Sequence, residues 1–245
     1  MSEEEPMEDV MEDIEYQEAI EEVELLLFLL DGSGSMTQTN THDKRKKVEH
    51  LMDVMTDFIP RIKSSSAAPR FRVQNVYFSD KPYPQAQYQT IGDFEIDNPV
   101  EKAGGGRTAI ADTLLKSRDL IDEFNGDDTL PNDKYATVFL ITDGRETSQG
   151  DVEGSASMLK GHSVGPLLAT VGVGKDADED LLLKIASEPT PRQIRHLDQH
   201  HLLQYMPNQD KLYLRAHEEG QITKKTAEAL RRFVYVLSKT AKKEE

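Results

Sequence analysis

Between Val23 and Leu30 every residue but Glu24 is apolar, and the run stops at Asp31 on a carboxylate. It is too short to span a membrane, and it lacks the polar alternation of a one-sided sheet, so it fits a strand covered on both faces. Helices must then flank it, which commits the chain to a layered α/β arrangement. The next residues are Asp31-Gly32-Ser33-Gly34-Ser35, so a carboxylate and two hydroxyls emerge together where the buried strand ends. Such oxygen donors suit a hard divalent cation, and glycines at alternate positions are expected to let the backbone turn tightly enough to aim them at one point.

The rest of the chain alternates between the two periods. Val48, Leu51, Met52, Met55, Phe58, Ile59 and Ile62 recur at helical spacing, with Pro60 expected to bend or end that helix. Phe71 to Ser79 reads as a strand, and Phe94 to Asp97 as a short edge strand. Ile110, Leu114, Leu115, Ile121 and Phe124 mark a helix from Thr108 that Asn125-Gly126 ends, and Tyr135 to Thr142 returns as a strand. The reading continues with a helix over 151–159, a strand over 167–173 and a helix over 178–186 capped by Asp176. A strand over 193–197 and a turn capped by Asp198 and reaching Tyr205 come next. The final helix carries Ala227, Leu230, Phe233, Val234 and Leu237. This order predicts a doubly wound, mostly parallel sheet.

The charge is unevenly spread. Residues 1–22 hold eleven Asp or Glu and no Lys or Arg, so of the net −16 only −5 belongs to the remainder. We therefore expect an acidic tail over 1–22, one domain over 23–239 and a charged tail over 240–245. Acidic balance argues against nonspecific binding to nucleic acid or an anionic membrane, both of which require a cationic surface. The acidic start is unlike a signal peptide and the longest apolar run is six residues, from which a cytoplasmic location is expected. With no cysteine, disulfides and thiolate metal sites are excluded.

Two further segments join the Asp31 loop. Gly104-Gly105-Gly106-Arg107-Thr108 places a hydroxyl ahead of a helix, and Thr142-Asp143-Gly144 ends the second buried run. Ligands of open α/β sheets gather beyond the carboxyl ends of strands, where strand order reverses, and adjacent strands lie about 5 Å apart. The ordered set Asp31, Ser33, Ser35, Thr108 and Asp143 resembles the metal-ion-dependent adhesion site of von Willebrand factor type A domains. That resemblance implies a sheet of about six strands with one antiparallel edge and a Mg2+ on its rim, Mn2+ and Ca2+ being alternatives. It implies that Ser33, Ser35 and Thr108 touch the metal directly and that Asp31 and Asp143 act through water. It further implies a protein partner whose Asp or Glu completes the shell. The Phe139-Leu-Ile-Thr-Asp-Gly144 stretch is similar to cytoplasmic bacterial tellurite-resistance-associated members, which would place the chain in a chemical-stress or defence system beside a kinase, phosphatase or ATPase.

A binding module is therefore expected rather than an enzyme. Haloacid-dehalogenase-type phosphoryl transfer needs an Asp where Ser33 stands, and the sequence has neither a Gly-x-x-x-x-Gly-Lys-[Ser/Thr] loop nor a Gly-x-Ser-x-Gly elbow. Mg2+-dependent phosphoryl transfer and a metal-independent scaffold stay open as alternatives. Around the motif, Arg107 is expected to pair with Asp31 or Asp143, Lys44 to Lys47 to be solvated, and His196, His200 and His201 to be surface or capping residues rather than zinc ligands. Extended, the acidic tail would reach about 70 Å, enough to bring a Glu round to the rim.

Overall fold

The computed structural model describes residues 20–39 and 41–240; the acidic tail up to residue 19 and the terminal 241–245 lie outside the described residues. The first strand, β1 (Glu22–Asp31), is the spine of the molecule and is buried from Val23 onward. Its side chains alternate between two cores, as a pleat requires. Leu26, Phe28 and Leu30 enter one with α1 (Lys47–Lys63), α6 (Pro191–Gln199) and α7 (Lys224–Thr240). Val23, Leu25, Leu27 and Leu29 enter the other with α3 (Ile110–Asn125), α4 (Val152–Lys160) and α5 (Glu179–Ile185). Covering both faces is why the strand reads as a continuous apolar run.

The sheet has seven strands. Along its main path the order is β3-β2-β1-β5-β6-β7, with β4 also pairing with β2. Here β2 is Phe71–Phe78, β3 Pro82–Pro84, β4 Gln89–Thr90, β5 Asp133–Thr142, β6 Leu167–Gly172 and β7 Tyr213–Arg215. All pairings are parallel except those of β3 and β4 with β2. The chain winds from β1 out to β2 on one side, then returns to β5 on the other. The order therefore reverses beside β1, and the rim where β1 and β5 end is the switch point at which such sheets bind ligands.

Several expectations change in detail. Phe94–Asp97 is not a strand: Phe94 is buried in the core and the Asp97 amide donates to the Tyr77 hydroxyl at 3.0 Å. The antiparallel edge is built instead by β3, whose prolines suit an edge because they have no N–H to offer a ladder. The 193–197 segment is helix, not strand. Thr190 and Gln193 form a reciprocal capping box and Pro191 occupies the first turn, so the start signal of α6 is written in Thr-Pro-x-Gln. Asp198 lies within α6 and does not cap a new turn; a short 3-10 turn at Leu203–Tyr205 follows. Asp178, not Asp176, caps α5 by accepting the Leu181 amide at 3.2 Å. Pro60 does not end α1, which runs on to Lys63 with Ile62 buried.

Candidate metal centre

The five oxygen-bearing residues come from three loops at the switch point. β1 and β5 are adjacent and in register, which sets Asp31 beside Thr142, and the Thr142 hydroxyl donates to Asp31 Oδ2 at 2.5 Å. The other oxygen of Asp31, Oδ1, accepts the Ser33 amide at 2.8 Å, so the carboxylate is fixed at both ends. A 3-10 turn over Gly34–Thr37 then swings Ser35 across to β5, where its hydroxyl donates to Asp143 Oδ1 at 2.7 Å. Ser33 Oγ lies 3.0 Å from Ser35 Oγ. A hydroxyl has one proton, and that of Ser35 is committed to Asp143, so Ser33 is the donor between the two serines. Both serine protons thus turn inward along a chain that ends on Asp143.

Thr108 is delivered by the loop that precedes α3. Gly104, Gly105 and Gly106 all have positive φ, a conformation that side chains with a Cβ resist, so this triple glycine is the conformational requirement of the site. The loop after β5 locks the delivery: the Thr147 hydroxyl accepts the Thr108 amide at 2.8 Å, and Glu146 Oε2 accepts the first two amides of α3, Ile110 at 2.6 Å and Ala111 at 3.0 Å. Neither Glu146 nor Thr147 was singled out by the sequence motif. The signal available was a carboxylate and a hydroxyl four and five residues beyond a strand end.

Of the two glycines of the Asp31 loop, the first serves packing and neither is required for turning. Neither Gly32 nor Gly34 has positive φ. A Cβ on Gly32 would stand 2.2 Å from the carbonyl oxygen of Pro99, at the start of α2 (Pro99–Ala103), whereas one on Gly34 would meet nothing within 4 Å. The first glycine is needed so that α2 can approach, and space makes no demand on the second.

Convergence is seen most directly at Gly144. A Cβ there would lie 3.2 Å from Thr108 Oγ1, 3.8 Å from Ser35 Oγ and 4.0 Å from Asp31 Oδ2. Three oxygens from two loops therefore meet at a glycine of the third, beside one small space that this glycine leaves empty. The cleft above it is open, with Ser35, Thr108 and Gly144 in its lining and the exposed Arg145 and Lys175 at its edge.

Electrostatics point the same way. Asp31 and Asp143 are both fully buried, and burial together with the Asp143 charge pushes Asp31 up to about 6. Two buried carboxylates side by side call for compensation by cations. Part of it comes from Lys47, whose ammonium is fully buried 2.5 Å from Asp143 Oδ2, with Asp176 at 3.6 Å. This corrects two expectations: Lys47 is not solvated, and it, not the exposed Arg107, is the cation against Asp143. Position 47 stands four residues before Leu51 and eight before Met55, on the buried stripe of α1, which is the sequence sign of its burial. One buried lysine leaves a net negative charge on the pair, and the hydroxyl-rich donor set fits a hard divalent ion.

Of the three histidines weighed for zinc, His196 and His200 are half-buried and His201 is exposed. Among the described residues, the cluster with metal-ligand geometry lies elsewhere, at His42, Asp43 and His50.

A model of the von Willebrand factor type A domain matches residues 26–209. The chain belongs to that family. Solved structures of von Willebrand factor type A proteins resemble it at low identity. Proximal thread matrix protein 1 from the mussel byssus, with a zinc-occupied metal-ion-dependent adhesion site motif, is 21% identical with a TM-score of 0.50, over 67% of this chain and 39% of that one. The manganese-loaded TRAP protein of Plasmodium vivax is 15% identical with a TM-score of 0.51, over 87% and 74%. The pilus adhesin SpaC of Lactobacillus rhamnosus GG is 13% identical with a TM-score of 0.60, over 91% and 31%. At these identities the likeness establishes the fold alone, and the chain spans less than half the length of the mussel protein. Domains of the von Willebrand factor type A family are typically interaction or adhesion modules. No described helix is long and apolar enough to cross a membrane.

Proposed function

We propose that this chain is a metal-dependent protein-binding module that recognises an acidic side chain of a partner through a Mg2+ held by Ser33, Ser35 and Thr108, with Asp31 and Asp143 behind them. The observation that carries the reading is the meeting of Thr108, Ser35 and Asp31 oxygens around the space at Gly144. Mn2+ fits the same donors, and so does Ca2+. When bound, the ion supplies a Lewis-acidic coordination position for a carboxylate.

The chain's own residues prepare that position. Asp143 has one oxygen engaged by Ser35 and the other by Lys47, which suits a role behind the hydroxyls rather than as a direct ligand. By accepting the Ser35 proton it leaves the Ser35 oxygen, which takes the Ser33 hydrogen bond on one lone pair, a second lone pair to face a cation. Arg145 and Lys175 outnumber Asp176 in the cleft lining, and this cationic balance would draw in an acidic ligand. A role as an adaptor in chemical stress or defence, beside a kinase, phosphatase or ATPase, is the narrower form of this proposal and rests on the Phe139–Gly144 resemblance alone.

Two measurements test it. Mn2+ titration followed by electron paramagnetic resonance should show one bound ion in the wild type and none in Asp31→Ala. Panning of acidic peptides should then yield ligands whose binding is abolished by EDTA and by replacing their Asp or Glu with Asn or Gln. Peptide binding that survives EDTA and Asp31→Ala would defeat the metal bridge and favour a metal-independent scaffold.

A further inference from the structure

Away from the rim, the loop that leads into α1 and the second turn of that helix bring together His42, Asp43 and His50. One ligand atom from each lies within 4.8 Å of the other two. Their protonation can be read from their partners. His42 Nδ1 is 2.9 Å from the carbonyl oxygen of Ile222, which can only accept, so Nδ1 carries the proton and in the neutral ring Nε2 carries the lone pair. That lone pair faces Asp43 Oδ2 at 3.9 Å.

The hydrogen bonds to Asp43 all fall on its other oxygen. Oδ1 accepts from the Arg45 amide at 3.2 Å and from His50 Nε2 at 2.9 Å, and the Thr41 hydroxyl, 3.1 Å away, shares its one proton with the Arg45 carbonyl at 2.5 Å. Oδ2 receives none of these hydrogen bonds and is turned toward His42. Oδ2 and, in the neutral ring, His42 Nε2 thus present one lone-pair atom each across 3.9 Å, a span that an ion about 2.0–2.1 Å from each would bridge. The His42 and His50 ring centroids are 5.2 Å apart and the rings are tilted by 49°, so the two imidazoles stand side by side without stacking.

We infer that His42, Asp43 and His50 form a second metal site, distinct from the hydroxyl-lined rim, that takes Zn2+. The donor set decides the metal. Two imidazoles and one carboxylate suit a borderline ion such as zinc, whereas Mg2+ prefers oxygen. The Ile222 carbonyl holds the proton of His42 on Nδ1 and fixes the ring, the outer contact that metal-binding histidines characteristically make. His50 donates to Asp43 from Nε2, so it binds metal by shifting its proton to Nδ1. The carboxylate then exchanges that hydrogen bond for the ion. Because His42 and Asp43 are exposed beside an open groove, a fourth position is left for water. The site ties the loop between Ser35 and Lys47 to α1 and to the Ile222 segment ahead of α7, and metal there stabilises the loop that carries Lys47 to the rim.

This inference does not depend on the rim binding metal, and its test separates the two sites. Zn2+ is titrated calorimetrically into full-length Asp31→Ala, in which the rim is disabled, and into the double variant Asp31→Ala/His42→Gln. His42 is exposed, so its replacement leaves the core intact. One equivalent of Zn2+ bound by the first protein and none by the second is the expected result. Loss of zinc binding in Asp31→Ala alone, or its retention in the double variant, overturns the site. As an independent readout, Co2+ should give the intense visible bands of a four-coordinate ion in Asp31→Ala and lose them on His42→Gln; bands unaffected by His42→Gln would also overturn it.

Discussion

The Lys47 ammonium donates to Asp143 Oδ2 at 2.5 Å, and neither side chain touches solvent. Removing one member of such a pair strands the other's charge. Lys47→Met should therefore cost about 3–5 kcal/mol in EDTA, the usual penalty for an uncompensated buried charge. If a cation at the rim shares the charge of Asp143, saturating Mg2+ reduces that penalty. Urea denaturation in EDTA and in Mg2+ measures both, and equal penalties would show that no ion takes part.

The two glycines of the Asp31 loop should behave differently. Gly32→Ala drives a methyl toward the Pro99 carbonyl, an overpacking that costs about 1–3 kcal/mol and displaces α2 or the loop. Gly34→Ala meets open space and should stay within about 0.5 kcal/mol of the wild type. Comparison of the two denaturation midpoints decides the matter.

At the far end of β1 from the rim, Glu24 is buried and accepts the Thr137 hydroxyl at 2.8 Å. Burial, outweighing that hydrogen bond, raises its carboxyl from 4.5 to about 8. The folded state holds the proton more tightly than the unfolded chain, so this contribution is fully present below pH 4.5 and is lost as pH rises through about 8. Glu24→Gln cannot ionise and should flatten stability across that window. At pH 9 the variant should be more stable than the wild type. A wild-type advantage at pH 9 would mean that Glu24 ionises in the fold without cost.

Glu146 serves α3 and, through it, Thr108. Glu146→Ala should lose about 1–2 kcal/mol, as for loss of a helix N-terminal cap, and weaken Mn2+ binding, since Thr108 stands two residues before the helix. Glu146→Gln keeps an acceptor oxygen and should recover most of both. Thermal melting and Mn2+ titration read the two effects separately. Weakened stability with unchanged Mn2+ affinity would uncouple the cap from the threonine.

Much of this molecule was legible because its central strands must be apolar on both faces. Leu25 to Leu30 and Val138 to Ile141 stand out for that reason, and the oxygens of Asp31 and Asp143 follow them directly. What escaped was set by tertiary contact. β7 is three residues long, too short for a period, and its place at the sheet edge depends on pairing with β6. Lys47 was assigned by its charge, although its position on the stripe of Leu51 and Met55 argued for burial. His42 and His50 are eight residues apart, and only the return of the loop onto α1 brings them to Asp43. The strand assigned to Gln193–Leu197 failed because its two apolar residues, Ile194 and Leu197, stand three apart, a helical and not an alternating spacing, and the capping box at Thr190 and Gln193 was the better witness.

β1 is paired along nearly its whole length to β2 on one side and β5 on the other, and its Asp31 end lies at the rim while its Glu22 end lies opposite. A partner gripping the rim while the chain is held from the Glu22 side would pull along the strand axis. Both ladders then carry the tension in shear, with their hydrogen bonds strained together instead of unzipped one after another. Under the proposed binding at the rim, the central strand would double as a tether aligned with the direction in which this chain resists being torn apart.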